Sequence, residues 1–118
     1  KIPCAVATST PSWIAEKNIK TAGVYDYFDK IVTGDMVERG KPAPDIFIEA
    51  GRRIEARPDE TIVCEDSING LRGAYAAGMK PVFVFDRQRL DSNTQKIIFE
   101  ECENLLEVIE IIKRENSL

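Results

Sequence analysis

Short apolar runs alternate with segments of helical periodicity along this chain. Continuous apolar runs, typical of strands that are covered on both faces, predict strands at 2–7, 30–32, 61–64 and 81–85. Apolar residues three and four positions apart predict helices between them, over about 12–22, 44–54, 69–77 and 105–113. The stretch 96–99 fits either a short edge strand or part of a helix.

The predicted helices also show their ends and their inner faces. Thr10 or Ser12 is expected to cap the first helix, and Gly23 and Gly78 are expected to end the first and third helices. The apolar positions that define the first and last helices are Trp13, Ile14, Ile19 and Ala22, and Leu105, Leu106, Ile109 and Ile112. Each of these sets indicates an amphipathic helix.

Alternating strands and helices predict an α/β fold, a Rossmann-like parallel sheet with helices on both faces. Functional sites in such sheets lie at the carboxyl ends of the strands. Three polar groups follow strands here: Thr8 with Ser9, Glu65 with Asp66, and a loop that carries Lys41. Because parallel strands bring their carboxyl ends to one edge, we expect these groups to converge.

The Lys41 loop is stiffened by two prolines. Pro42 and Pro44 each fix φ and lack an amide donor, so the loop cannot be helical or a central strand. Pro44 suits the first turn of the following helix. A lysine on such a loop is preorganised to meet an anion. Taken alone, the same loop is more often an ordinary turn with a solvated lysine.

The other two polar groups also allow two interpretations. Glu65 and Asp66 offer the hard oxygen ligands that suit Mg²⁺, or they cap the following helix. Thr8 offers a hydroxyl and Ser9 a backbone N–H to a phosphate oxygen, or both belong to a helix cap. Together, a hydroxyl, an ammonium and a magnesium-binding carboxylate describe a phosphate site without a nucleophile.

Two further aspartates lie in loops. Asp35 has no matching strand context, and Asp86 follows the strand at 81–85. Asp86 therefore stays open as a nucleophile or as a solvated turn residue.

Composition narrows the function classes. A chain of 118 residues is at most one domain, and its net charge of −4 with scattered basic residues argues against nucleic acid as a partner. No apolar run is long enough to span a membrane.

The absence of histidine excludes Ser-His-Asp and Cys-His catalysis and histidine-ligated zinc. Cys4, Cys64 and Cys102 lack metal or redox spacing, which indicates a cytoplasmic setting, with Cys4 and Cys64 as small buried hydrophobes.

Three segments together resemble the haloacid dehalogenase-like hydrolase superfamily, and most closely its β-phosphoglucomutase-like branch. They are Val-Ala-Thr-Ser at 6–9, Gly-Asp-Met-Val-Glu-Arg-Gly-Lys-Pro-Ala-Pro-Asp-Ile-Phe at 34–47, and Cys-Glu-Asp-Ser-Ile-Asn-Gly-Leu at 64–71, which continues to Ala-Ala-Gly-Met at 76–79. The order and spacing are similar over nearly the whole chain. The Gly-Lys-Pro loop and the Glu-Asp-Ser turn form a specific pair.

The resemblance implies a role for each matched residue. Thr8 would hydrogen-bond the transferring phosphoryl group, and Ser9 would add a backbone contact. Lys41 would bind the same group and steady the nucleophile. Asp66, with Glu65 beside it, would hold Mg²⁺. The substrate would be a phosphorylated small molecule such as a sugar phosphate.

The chain also departs from the family. The family begins with a strand ending in Asp-x-Asp, which supplies the nucleophile and the acid/base, and a helical cap domain follows. Neither is in this sequence, which begins at Lys1 without Met. The family places that strand between those ending at Thr8 and Glu65, so we expect a gap in the sheet. We expect residues 1–118 to be one fragment of the core domain whose other part is cut away or supplied by another chain.

Three functions follow as hypotheses. The first is the C-terminal portion of a Mg²⁺-dependent phosphatase or phosphosugar mutase that works through an aspartyl phosphate and is inactive alone. The second is a non-catalytic domain that binds phosphate or a partner through the same edge. The third is a structural remnant whose sheet gap drives self-association with another copy of the chain.

Overall fold

Five parallel strands form the centre of the protein in a computed structural model that describes residues 2–117. The strands are β1 (Ala5–Thr8), β2 (Lys30–Thr33), β3 (Ile62–Glu65), β4 (Lys80–Val84) and β5 (Glu100–Cys102). They pair in two groups, β1 with β2 and β3–β4–β5 with β4 in the middle. In the register, Thr8 lies opposite Thr33 and Glu65 lies opposite Phe83.

Five α-helices connect or follow these strands. They are α1 (Ser12–Thr21), α2 (Asp45–Arg53), α3 (Ile68–Ala76), the single turn α4 (Ser92–Gln95) and α5 (Leu106–Glu115). Short 3₁₀ turns occupy Tyr25–Tyr27, Gly34–Met36 and Pro58–Glu60. The predicted helix stops hold, since Gly23 and Gly78 follow α1 and α3 with φ of 75° and 79°, values that favour glycine.

Helices cover both faces of the strands. Ile46 and Phe47 of α2 and Ala74 of α3 share one core with Val32 of β2 and the partly buried Val63 of β3. Val108 and Ile111 of α5 pack on the other face in a second core with Val82 and Cys102, joined by Ile62 and Val84. Neighbouring strand residues thus point to opposite helical layers, as the pleat requires. The predicted α/β architecture with parallel strands is confirmed.

The two strand groups are not hydrogen-bonded to each other. Within residues 2–117, β1 is hydrogen-bonded to β2 alone, and β3 is hydrogen-bonded to β4 alone. Each of β1 and β3 therefore has one open edge. This division lies between the strand ending at Thr8 and the strand ending at Glu65. The first core crosses it, because it contains residues from both strand groups.

Burial differs from expectation next to this division. The apolar run of β4 is covered on both faces as predicted, but all four residues of β1 are only half-buried. Cys4 and Cys64 are exposed rather than buried, and all three cysteines are free. β1 and β3 both border the division, so their residues lack the cover that a strand lying between them would give.

The outer helices are also less buried than predicted. Trp13 is 73% exposed, and α1 buries only Ala15. In α5, Val108 and Ile111 are buried, whereas Leu105, Leu106 and Ile109 are exposed. The predicted inner face is therefore wrong at these three exposed positions, and it is right at Ile112, which packs on the second core. The ambiguous stretch 96–99 is neither alternative, because it links α4 to β5, which begins at Glu100.

None of the helices in the described residues is long and apolar enough to cross a membrane.

Candidate phosphate and metal site

The side chain of Lys41 bridges the two strand groups at their carboxyl edge. Its ammonium donates to the carbonyl of Ala7 in β1 at 3.3 Å and to Oε1 of Glu65 in β3 at 2.5 Å. Parallel strands explain this geometry, because the ends of β1 and β3 and the loop after β2 share one edge. The structure thus brings Lys41 and Glu65 together, as the sequence predicted.

Lys41 is not a solvated loop lysine. Its side chain is only 13% exposed, and its ammonium lies 5.1 Å from the ring centroid of Phe47. The Lys41–Pro42 peptide is cis, and Pro44 occupies the N-cap of α2, which places Phe47 in the first turn of that helix. The aromatic face and the Glu65 carboxylate hold the cation from two sides. The charge is consequently positioned before any ligand arrives.

Glu65 is held at both of its oxygens. Oε1 accepts from Lys41, and Oε2 accepts from the hydroxyl of Ser67 at 3.0 Å and from its backbone amide at 3.4 Å. Ser67 also caps α3, since its hydroxyl accepts from the amide of Gly70 at 3.0 Å. The alternative in which Glu65 or Asp66 caps α3 is therefore wrong. Ser67 is the cap because the hydroxyl precedes the first helical residue, the position that caps prefer.

Gly70 allows the Glu65 carboxylate to lie against α3. A Cβ at position 70 would be 2.1 Å from the Glu65 carboxyl carbon, far inside van der Waals contact. Ser67, Gly70 and Phe47 were not predicted from the sequence as site residues. A hydroxyl directly before a helical pattern was the available signal for Ser67, whereas the roles of Gly70 and Phe47 depend on distant contacts.

Asp66 faces an open cleft next to the buried pair. Its carboxylate is exposed and, among residues 2–117, makes no hydrogen bond or ion pair. The cleft has a volume of about 390 Å³ and is lined by Cys64, Glu65, Asp66, Val84, Phe85, Asp86 and Leu105. Asp86 therefore shares the cleft with Glu65 and Asp66. The sequence predicted only that Asp86 follows a strand, not that it lies near these two residues.

The carboxylates of Glu65 and Asp66 are of the type that binds magnesium, although they are few. No group of three or more histidine, cysteine, aspartate or glutamate side chains clusters for metal binding within the described part of the chain. Mg²⁺, however, commonly takes one or two carboxylates and keeps several waters. Asp66 meets that requirement with an accessible carboxylate, and the adjacent Glu65 adds a second carboxylate whose oxygens already accept from Lys41 and Ser67. The donor set fits Mg²⁺.

Thr8 and Ser9 lie at the same edge without touching Lys41. The Thr8 hydroxyl accepts from the amide of Thr10 at 3.2 Å, which leaves its own proton available for an anion. Ser9 is exposed. Among the described residues, no hydrogen bond joins Thr8 to Lys41 or Glu65, although Lys41 bonds to the carbonyl of the preceding residue, Ala7.

The predicted cap of α1 is wrong. Pro11 occupies the N-cap position, and no side chain caps the helix. Ser12 is the first helical residue, and its hydroxyl bonds to Thr33 and Asp35 instead. Ser12 is one position too late to cap α1, because the cap is the residue before the first helical one.

Comparison with known proteins gives one family. Residues 1–84 match the family of haloacid dehalogenase-like hydrolases. The chain is 42% identical over 82 residues to the fructose-1-phosphate phosphatase YqaB of Escherichia coli, an alignment that covers 70% of this chain and 44% of the enzyme.

Solved structures agree over almost the whole chain. A phosphatase of this superfamily from Thermococcus onnurineus superposes with a TM-score of 0.81 at 30% identity, covering 93% of this chain and 50% of that one. CbbY from Rhodobacter sphaeroides, solved in complex with phosphate, gives 0.79 at 31% identity, covering 91% and 48%. A Thermotoga maritima protein assigned as a β-phosphoglucomutase gives 0.86 at 29% identity, covering 96% and 53%.

The chain spans about half the length of these relatives, or less. Their names are those of phosphatases and phosphoglucomutases, which are phosphoryl-transfer proteins. The matched segment contains Thr8, Lys41 and the Glu65–Asp66 pair. This chain therefore belongs to the haloacid dehalogenase-like hydrolases, in their β-phosphoglucomutase-like branch.

Proposed function

We propose that this chain is the C-terminal portion of a Mg²⁺-dependent phosphatase or phosphosugar mutase, and that it carries the phosphate- and metal-binding half of the site. The observation that carries this proposal is the Lys41 ammonium, fixed between β1 and β3 at 13% exposure. A mostly buried lysine at the carboxyl edge of parallel strands is placed where anionic substrates bind. The ammonium uses two of its three donors on Ala7 and Glu65 and can give the third to an anion from a position that is already fixed.

Thr8, Ser9 and Lys41 would bind the phosphoryl group together. The Thr8 hydroxyl still has a proton to donate, and the exposed Ser9 offers a backbone N–H near the start of α1. The N-terminal end of a helix favours negative charge. Three donors of different kinds would then surround one phosphate: a hydroxyl, an amide and an ammonium.

Asp66 and Glu65 would hold Mg²⁺. When bound, the ion would neutralise charge on the transferring phosphoryl group. Asp66 is accessible, whereas Glu65 is already held by Lys41 and Ser67. We assign Asp66 as the principal ligand and Glu65 as its support.

The nucleophile is expected to come from outside these residues. An aspartate that becomes phosphorylated would complete the site, and a strand inserted between β1 and β3 would place it beside Lys41. We propose that this strand belongs to an N-terminal part of the protein or to another chain. The substrate would be a phosphorylated small molecule such as a sugar phosphate, the class named for the E. coli relative. Free cysteines fit a cytoplasmic setting.

A complementation assay tests this proposal. The 118-residue chain alone should hydrolyse neither an aryl phosphate nor fructose 1-phosphate. Addition of a separately expressed N-terminal part from a relative, with its Asp-x-Asp strand and cap, should restore Mg²⁺-dependent turnover. The matched control is the same part with its first aspartate changed to asparagine. Turnover by the chain alone, or by the control mixture, would contradict the proposal.

The open edges of β1 and β3 favour a second candidate, a domain that binds phosphate or a partner without catalysis. This candidate predicts phosphate binding and strand capture in the mixture but no turnover. Native mass spectrometry of the mixture beside the activity assay separates the two.

A further inference from the structure

A polar cluster outside the proposed phosphate and metal ligands ties the loop after β1 to the loop after β2. It consists of Ser12, Thr33 and Asp35. The Ser12 hydroxyl lies 2.9 and 2.8 Å from the two oxygens of the Asp35 carboxylate and 2.8 Å from the Thr33 hydroxyl. The Thr33 hydroxyl donates to the same carboxylate. These bonds from Thr33 and Ser12 lower the pKa of Asp35, so it remains ionised near neutrality.

This cluster is not a helix cap of the ordinary kind. Asp35 lies in the 3₁₀ turn after β2, whereas Ser12 begins α1, so the bond joins two separate elements. Thr33 is fully buried, and its hydroxyl therefore needs a partner. Asp35 provides that partner and at the same time holds the start of α1. The carboxylate of Asp35 thus connects the two loops.

The two loops that the cluster joins carry the proposed phosphate ligands. Thr33 lies opposite Thr8 in the strand register, and the chain runs on from Asp35 to Lys41. A second contact lies beside the first, because a Cβ at Gly34 would be 2.6 Å from the carbonyl oxygen of Ser9. Any movement of Asp35 would therefore be transmitted to Ser9 and Thr8 through packed backbone.

We propose that Asp35 is a positioning residue for the phosphate site. By accepting from Ser12 and Thr33, it fixes the loop of Thr8 and Ser9 relative to the loop of Lys41, so that all three face one anion. Asp35 itself carries a negative charge and does not contact the phosphate. This inference rests on the proposed function, in which Thr8, Ser9 and Lys41 bind the phosphoryl group.

Titration with inorganic phosphate tests the inference in the 118-residue chain. Asp35→Ala should weaken phosphate binding about tenfold, the size of loss typical when a ligand's support is removed. Asp35→Asn keeps one acceptor oxygen and should restore most of the affinity. Asp59→Ala is the matched control, since Asp59 is an exposed aspartate paired with Arg57 before β3, at the opposite edge of the strands.

A double-mutant cycle separates positioning from general damage. Thr8→Val removes the phosphate contact that Asp35 is proposed to position, so adding Asp35→Ala in that background should cost less than about threefold. Equal losses in both backgrounds would overturn the inference, as would an Asp35→Ala variant with wild-type affinity. Where Asp35→Ala does not fold, Ser12→Ala removes one of its donors and takes its place in the cycle.

Failure of the proposed function has a different signature. A wild-type chain that binds no phosphate would contradict the phosphate site itself. Amide hydrogen exchange then decides about Asp35 alone. Faster exchange at the Thr10 amide, which bonds to the Thr8 hydroxyl, in Asp35→Ala, with unchanged exchange in Asp59→Ala, supports the positioning role. Unchanged exchange at the Thr10 amide in Asp35→Ala overturns it.

Discussion

The strand β4 is enclosed, whereas β1 and β3 each keep one open edge. β4 has β3 on one side and β5 on the other, and its residues Pro81, Val82 and Phe83 are buried. β1 has a neighbour on one side only, and its four residues are half-buried. All three strands are short apolar runs in the sequence, so their surroundings and not their composition make the difference.

The strand group around β4 and the division between β1 and β3 differ in what surrounds them. The second core packs on the strand group around β4, whereas Thr8, Lys41 and Glu65 lie around the open edges of β1 and β3. The Lys41 ammonium and the first core both bridge the division. We infer that the enclosed strand group contributes most to stability and that the proposed phosphate site lies at the open division.

Equal truncations on the two kinds of strand give the largest expected difference. Val82→Ala removes methyl groups from a site with 0% exposure and should lower the free energy of unfolding by about 2–3 kcal/mol. Val6→Ala makes the same change on half-buried β1 and should cost less than about 1 kcal/mol. Urea denaturation measures both. Equal costs would show that β1 is as enclosed as β4.

Adding a methyl group at Gly70 should disturb the candidate site without disturbing the strand group around β4. It would meet the Glu65 carboxylate, which must turn away and release Lys41. Because alanine favours a helix over glycine by about 1 kcal/mol, stability should change little. Phosphate affinity in the presence of Mg²⁺ should fall severalfold. Gly40→Ala is the control in the Lys41 loop, since no atom lies within 4 Å of a Cβ there. A comparable loss in Gly40→Ala would contradict a specific role for the Glu65 position.

The reactivity of the cysteines should also differ between open β3 and the enclosed strand group, and this is the smallest of the expected effects. Cys64 lies on open β3, and Cys102 is buried on β5. Partial burial, with smaller contributions from Cys102 and Cys4, raises the pKa of Cys64 from 9.0 to about 11. Alkylation of Cys64 should therefore rise about tenfold per pH unit up to about pH 11. Cys102 should stay protected from alkylation at every pH at which the chain remains folded.

Mass spectrometry of alkylated peptides measures both cysteines in one sample. The urea-unfolded chain is the control, in which the two thiols should react alike. Labelling of Cys102 as fast as Cys64 in the folded chain would show that the enclosed region opens readily.

The sequence predicted those parts of the fold that depend on local pattern. The strands, the parallel arrangement and the Lys41 loop followed from apolar runs, helical periodicity and prolines. Two features could not be predicted, the exposure of Cys64 and of Leu105, because they depend on which neighbours flank an element. β5 was also missed, since two of its three residues are glutamates.

The arrangement of the candidate site could be predicted only in part. The sequence indicated that Lys41 and Glu65 share an edge, but not that they pair or that Ser67 holds the second oxygen of Glu65. The Asp35 cluster was missed because its partners are 21 and 23 residues apart, a separation that no local pattern reveals. Such contacts depend on tertiary packing.

Phosphate affinity of Lys41→Met tests the central claim most directly. Methionine keeps much of the apolar stem but removes the charge that lies over Phe47. Lys80→Met is a matched control, since Lys80 also pairs with a glutamate and lies over a phenylalanine ring, Glu115 and Phe99. With inorganic phosphate and Mg²⁺, Lys41→Met should weaken binding by about tenfold or more, while Lys80→Met stays at wild-type affinity. Equal affinities of the wild type and Lys41→Met would contradict the assignment of this lysine to the phosphate site.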